Sequence, residues 1–251
     1  MKTAIIIGAT SGIGREVAKD LVNKGWKLGI AGRREEALAA FQAEFGDDKV
    51  STAVIDITLP SAVAALDNLI AEVGAPDLFF HSSGVGYQGG EIDEEKEIRT
   101  IQTNCDGMVR MVAHFTNFVK AHPDVYNAGH KAQIAVITSL AGTAGLGNAA
   151  AYSSSKRMQQ NYLSAMTQLA RMEKLPVRFT DIRPGFVDTD LLDHNRHYPF
   201  LISREKASRC ILKAIKRKRR VCIVDWKYRL VVLLWRLIPR PLWERLTFIK
   251  N

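Results

Sequence analysis

Tyr152 and Lys156 stand four residues apart, Ser139 lies a short segment upstream, and the chain opens on a glycine-rich turn, Gly8-Ala9-Thr10-Ser11-Gly12-Ile13-Gly14. On a helix, side chains at i and i+4 share a face, so this spacing sets an ammonium beside a phenol. Tyrosine holds its proton until about pH 10, and a neighbouring cation favours the phenolate. A phenol tuned in this way exchanges a proton with an alcohol or a carbonyl near neutral pH. The residue types point to hydride and proton transfer at a C–O bond.

Gly8, Gly12 and Gly14 follow an apolar run and open a helical pattern, the context that a dinucleotide-binding turn needs. Glycines let the backbone approach a pyrophosphate, and the helix N-terminus offers free N–H donors at its positive end. The end of the second apolar run reads Ala31-Gly32-Arg33-Arg34. A site for NAD carries an acid there for the ribose hydroxyls; here the acid is missing, and guanidinium groups pair instead with a 2′-phosphate. NADP(H) is therefore the expected cofactor, with Arg33 on the phosphate and Arg34 assisting. The plain alternative is that both arginines begin a solvated helix.

The elements that must hold these groups follow from the pattern. Continuous apolar runs over residues 4–7, 28–31, 52–55, 78–80, 134–138, 177–182 and 221–224 read as strands. Amphipathic stretches over 13–24, 35–45, 62–73, 98–119 and 153–172 read as the helices between them. Short buried strands alternating with helices predict an α/β fold, a single Rossmann-type, doubly wound parallel sheet of about seven strands with helices on both faces. A chain of 251 residues suits one such domain. Residues 1–203 are expected to form the dinucleotide-binding and catalytic part, and 204–251 an extension that completes it.

Cys105, Cys210 and Cys222 are odd in number and lack metal-ligand spacing, which predicts reduced thiols in a cytosolic protein and no metal site. The N-terminal run is too short for a secretion signal and reads as a buried strand. The net charge of +9 is uneven. Residues 204–251 hold fifteen Lys/Arg against three Asp/Glu, whereas 1–203 hold twenty against twenty-three. All the basic character lies in the C-terminal fifth, a statement about partners and not about fold.

Taken together, residues 1–189 resemble the short-chain dehydrogenase/reductase family. Gly8–Gly14 matches its TGxxxGIG turn, so the resemblance implies cofactor contacts from Gly8, Thr10, Ser11, Gly12, Ile13 and Gly14. It implies that Asp56 holds the adenine amino group with Ile57 beside it, and that Ser83 and Gly84 line the cofactor. His81-Ser82-Ser83-Gly84 departs from the usual NNAG, and His81 is expected as a buried, hydrogen-bonded histidine. Ser139, Tyr152 and Lys156 match the catalytic triad, and Asn104 the asparagine that orders a water linked to the lysine. The Pro184-Gly185-Phe186-Val187-Asp188-Thr189 segment matches PGxVxT, placing Pro184, Gly185, Val187 and Thr189 at the nicotinamide. The implied roles are Ser139 fixing the substrate oxygen, Tyr152 moving the proton, and Lys156 tuning Tyr152 and binding the nicotinamide ribose.

Beyond Thr189 the sequence should shape the substrate pocket. Residues 190–202, with Leu191, Leu192, His194, His197, Tyr198 and Phe200, read as a mobile lid. Apolar residues there, together with Leu140, Leu146 and Tyr87, suggest a hydrophobic carbonyl or alcohol substrate; both histidines read as surface residues. Lys216-Arg217-Lys218-Arg219-Arg220 reads as a solvated helix end or a contact surface. The apolar run after Trp226 is broken by Arg236 and prolines, too short to span a bilayer. It suggests either an interfacial helix on an anionic membrane or an arm packed on a partner subunit of a homodimer or homotetramer. The leading function is an NADP(H)-dependent carbonyl reductase, with a non-catalytic NADP-binding module or a ketoreductase acting on lipid-linked sugar or acyl substrates at the membrane surface as alternatives. Nucleic-acid binding lacks a recognition motif.

Overall fold

The structure, a computed structural model, describes residues 1–87, 89, 92–192 and 197–246. Seven strands form one parallel sheet: β1 (Thr3–Ile7), β2 (Lys27–Gly32), β3 (Val50–Val54), β4 (Leu78–His81), β5 (Ala132–Ile137), β6 (Val177–Arg183) and β7 (Val221–Ile223). Their order across the sheet is β3-β2-β1-β4-β5-β6-β7. Continuous apolar strands need cover on both faces, and they receive it. Helices α1 (Gly12–Val22), α2 (Glu35–Phe45) and α7 (Arg204–Lys216) bury Val17, Leu38, Phe41 and Ile211 against Ala4, Ile6, Leu28 and Phe80. On the opposite face α3 (Ala62–Val73), α5 (Met108–Ala121) and α6 (Ala150–Met172) pack Leu66, Phe115 and Leu163 on Ile5, Ile7, Phe79 and Ile134.

The chain builds outward from β1 to β3, then recrosses to lay β4 on the other side of β1. At such a reversal the loops leaving neighbouring strands part, and a crevice opens over the strands' C-terminal ends. The glycine turn after β1 and the loop after β4 are its two lips.

Three helices differ from the sequence expectation: α1 ends at Val22 instead of 24, and two others differ more. The long helix expected over 98–119 is α4 (Glu94–Ile101), a π-helical turn (Gln102–Gly107) and then α5. That wider turn carries Asn104 inward. At its end, a Cβ on Gly107 would lie 2.6 Å from Ile57 Cγ1, so glycine permits the close approach to the segment after β3. Helix α6 begins at Ala150, not Ser153, after short 3-10 turns at Leu140–Thr143 and Gly147–Ala149. No local cap marks its start. Glu97 of α4 supplies one, its carboxylate accepting from Ala151 N at 2.8 Å, and an anion at a helix N-terminus complements the dipole.

The last fifth of the chain continues the same architecture. Ser208 of α7 donates to Asp20 of α1 at 2.6 Å, and β7 pairs with β6 at the sheet edge. Helix α8 (Trp226–Leu237) follows, capped by Asp225, which accepts from Lys227 N at 3.0 Å and from Lys206 Nζ at 2.6 Å. The short α9 (Arg240–Trp243) is the last helix of the described residues.

Candidate active site

A cleft of ≈ 890 Å³ runs along the C-terminal edge of the sheet, from the turn after β1 to α8. Its first end is a backbone cradle. Gly8 has φ +88° and Gly12 φ +55°, a region where a side chain is strained. A Cβ on Gly8 would lie 2.6 Å from Ser83 N, and one on Gly14 would overlap the Gly8 carbonyl. Ser11 precedes α1 without capping it by its side chain, so the first-turn N–H groups remain available to an anion. Thr10 and Ile13 line the same stretch.

Arg33 and Arg34 lie exposed at the mouth of this end. The Arg34 guanidinium donates to Thr10 Oγ1 at 3.0 and 3.2 Å, bracing the turn. Asp56 and Ile57 form the floor beyond β3. Burial pushes the Asp56 carboxyl up, but the Thr58 hydroxyl and N–H, donating at 2.7 and 3.0 Å, hold it below its usual value with help from Arg33 and Arg99. Ser83 and Gly84 close the opposite lip, while Pro184, Gly185, Val187 and Thr189 form the roof; the Thr189 methyl stands over Gly12.

The reacting groups meet in the middle. Ser139 follows β5 and caps the 3-10 turn after it, its hydroxyl accepting from Ala141 N at 3.1 Å and hydrogen-bonding the Tyr152 phenol. Tyr152 sits in the first turn of α6, its ring so close to Gly86 that a Cβ there would come within 2.5 Å. Lys156 is buried one turn on, donates to the Ile137 carbonyl at 3.2 Å, and places Nζ 5.5 Å from the Tyr152 ring centroid.

This geometry corrects the expectation of an acidified phenol. Burial pushes Tyr152 above its usual value, and the Ser139 hydrogen bond pulls it only partly back. Burial also lowers Lys156 to about 8, against the opposing pull of Cys105 and Asp181. The ammonium donates to the Ile137 carbonyl, and burial of the phenol outweighs any charge attraction. Near neutral pH the pair is a protonated phenol beside a mostly charged lysine, poised to donate a proton.

Among the residues expected to act in catalysis or hold the cofactor, all of them described, Asn104 alone is absent from the cleft lining. It is fully buried, its Oδ1 accepts from Val85 N at 2.9 Å, and its Nδ2 donates to Val85 O at 2.8 Å. Asn104 thus clamps the loop after β4 that carries Ser83, Gly84 and Gly86. Its own carbonyl accepts from Gln159 Nε2 at 2.7 Å.

His81 is buried as expected but, among the described residues, neither ring nitrogen has a hydrogen-bond partner. Burial lowers it to about 3, the nearby Lys156 charge adds to this, and the Ser83 backbone opposes it. The imidazole is neutral.

Several supporting residues escaped the sequence reading. Gln160 donates to Ser139 O at 2.7 Å, fixing the serine's backbone. Gln159 and Gln160 lie three and four residues after Lys156, a spacing that would have placed them on its helix face. Asp181 is wholly buried in β6, accepting from Thr138 Oγ1 at 2.6 Å and from Arg183 at 2.8 and 2.6 Å. An acid inside an apolar strand run was the signal for it.

The far end of the cleft is apolar. Tyr87, Leu140, Leu146, Leu191, Leu192 and Phe200 line it as expected. His197 is exposed and Tyr198 is buried against Phe186, with ring centroids 4.8 Å apart; neither lines the cleft. His194 lies outside the described residues, as does part of the segment expected as a lid. Helix α8 supplies the remaining wall through Tyr228, Val231, Leu234 and Trp235. Tyr228 lies flat on Gly185, where any Cβ would overlap its ring. Its hydroxyl accepts from Phe186 N at 3.0 Å and donates to Pro199 O at 3.0 Å, stitching the extension to the roof.

The three cysteines are free. Among the described residues no cluster of His, Cys, Asp or Glu could hold a metal, and no helix is long and apolar enough to cross a membrane.

Comparison with known proteins bears on the family and the fold. A family model described as short chain dehydrogenase matches residues 2–198. An uncharacterized oxidoreductase of Myxococcus xanthus is 29% identical over 249 residues, covering 97% of this chain and 95% of that protein. A short chain dehydrogenase/reductase from Burkholderia phymatum, solved in complex with NAD, superposes with a TM-score of 0.79 at 21% identity, covering 93% of this chain and 92% of that one. A short-chain dehydrogenase from Sphingobium yanoikuyae, in complex with NADPH, superposes with a TM-score of 0.77 at 20% identity, covering 96% and 97%. At those identities the superpositions speak to the fold alone.

Proposed function

The chain belongs to the short chain dehydrogenase family, and on that footing we propose that it is an NADP(H)-dependent oxidoreductase interconverting a carbonyl and a secondary alcohol on an apolar substrate. The observation that carries the reading is the convergence of Ser139, Tyr152 and Lys156 between a glycine cradle and an apolar chamber. The cradle suits a dinucleotide: its tight backbone tolerates no side chain at Gly8 or Gly14, where a Cβ would collide with Ser82, Ser83 or the Gly8 carbonyl, and the helix behind it lacks a side-chain cap. Preference for the 2′-phosphate rests on Arg33 and Arg34, with no acid at the end of β2.

In the reducing direction, Ser139 orients the substrate oxygen by a hydrogen bond. The bound dinucleotide supplies the hydride for the carbonyl carbon. Tyr152 gives its phenolic proton to the oxygen, which becomes the hydroxyl. The Lys156 charge then stabilises the transient phenolate until it is reprotonated. A burial-raised phenol suits proton donation, since donor strength need only match an alkoxide developing in the transition state.

The test is NADPH oxidation against a panel of apolar ketones and aldehydes, with NADH in parallel. Turnover of at least one carbonyl with a preference for NADPH is expected. Binding of NADPH without turnover of any carbonyl or alcohol would favour a non-catalytic module instead.

A further inference from the structure

We propose that the outer face of α8 docks on an anionic lipid surface and turns the apolar end of the cleft toward the acyl layer, so that the substrate is a membrane-borne carbonyl or alcohol. The docking stands by itself; the substrate chemistry rests on the reading above. Tyr228, Val232 and Trp235, at i, i+4 and i+7, face the protein and are buried or nearly so. Opposite them, at helical spacing, stand Trp226, Leu230, Leu233, Leu234 and Leu237, which are 64%, 53%, 60%, 65% and 72% exposed. At 100° per residue, Arg229 and Arg236 border this stripe on one side and Lys227 on the other. A helix that buries one face in its own protein normally shows polar residues on the opposite one. Here that face is apolar with cationic edges, the composition of an interfacial helix. At twelve residues α8 is too short to span.

The stripe and the cleft are continuous. Leu234 belongs to both, and Leu191 and Phe200, which line the cleft, are exposed at its mouth. Trp243 folds back to donate to Gly145 O at 2.7 Å and packs on Trp235 at 5.0 Å between centroids, closing the protein side and leaving the outer stripe free.

Charge selects lipid over a second copy of the chain. Residues 204–251 carry fifteen cations against three acids. A two-fold interface through α8 would bring cationic edges together in either helix orientation, Arg229 and Arg236 against their own copies or against Lys227. An anionic bilayer supplies the opposite sign, with a gain of about five-fold in binding per nearby cation that salt screens.

The experiment is flotation of the full chain with phosphatidylcholine vesicles, with and without phosphatidylserine, comparing wild type with Leu230→Glu/Leu233→Glu. Neither leucine lines the cleft, so turnover of a short water-soluble carbonyl should be unchanged. Wild type should float with the anionic vesicles, and added salt or the double substitution should reduce flotation about ten-fold or more. Turnover of a vesicle-embedded long-chain ketone should fall in parallel. Wild type that stays unbound, or a variant that floats equally well, would overturn the proposal. So would a concentration-dependent dimer that the substitutions abolish without any vesicle binding. Flotation needs neither cofactor nor substrate, so an inactive protein that still floats would sink only the oxidoreductase reading.

Discussion

His81 makes the stability of this protein sensitive to mild acid. Its imidazole titrates near 6.5 in the unfolded chain but only at about 3 in the native interior. Between those values the unfolded state binds a proton that the folded state refuses, so stability is complete above the unfolded value and is lost as pH falls below it, by ~1.4 kcal/mol per pH unit. From about pH 7.5 to about pH 5 the loss is about 2 kcal/mol. The figure barely changes if the native value lies a unit higher or lower, because at pH 5 the folded imidazole is neutral either way. Urea denaturation of wild type and His81→Asn at both pH values isolates the effect, since every other titrating group is common to the two. Wild type should lose about 2 kcal/mol more than the variant across the interval, whatever their absolute stabilities. Parallel stability curves would refute the reasoning, and would mean that His81 finds a proton acceptor in the fold.

Removal of Arg33 should weaken NADPH binding about ten- to a hundred-fold, the worth of a charge-assisted hydrogen bond, and leave NADH binding unchanged in fluorescence titrations. Gly14→Ala should abolish the rise in Tm that a bound dinucleotide produces, because the added Cβ overlaps the Gly8 carbonyl. Tyr228→Phe should keep the ring on Gly185 but lose the bonds to Phe186 and Pro199. Hydrogen exchange is then expected to accelerate in 184–187 and α8, with a stability loss of about 1–3 kcal/mol.

The central strands were legible because β1, β4 and β5 are nearly continuous buried apolar runs, and burial on both faces leaves few polar positions to obscure them. The cleft was legible where one backbone conformation or one spacing carries the chemistry, as in Gly8–Gly14 and the Tyr152–Lys156 pair. Long-range arrangements were not. Glu97 caps α6 from 54 residues away, so no local signal marks that helix start. Asn104 carries the residue type expected of a site, yet only the π-helical turn shows that its side chain holds Val85 instead of facing the cleft. Spacing placed Lys156 beside Tyr152 but could not weigh attraction against desolvation, and the structure reverses that balance. The tail read equally well as an interfacial helix or a packing arm, because an amphipathic sequence does not say which face meets its own protein. Tyr228 on Gly185 settles which side packs.

The central claim is that the Tyr152 phenol delivers the proton in the chemical step, and Tyr152→Phe tests it with a change of a single oxygen. NADPH titration should give wild-type affinity, since the cradle and the arginines are untouched, while turnover of any carbonyl substrate should fall about 10²- to 10⁴-fold. Wild-type turnover in a variant that binds NADPH normally would contradict the account.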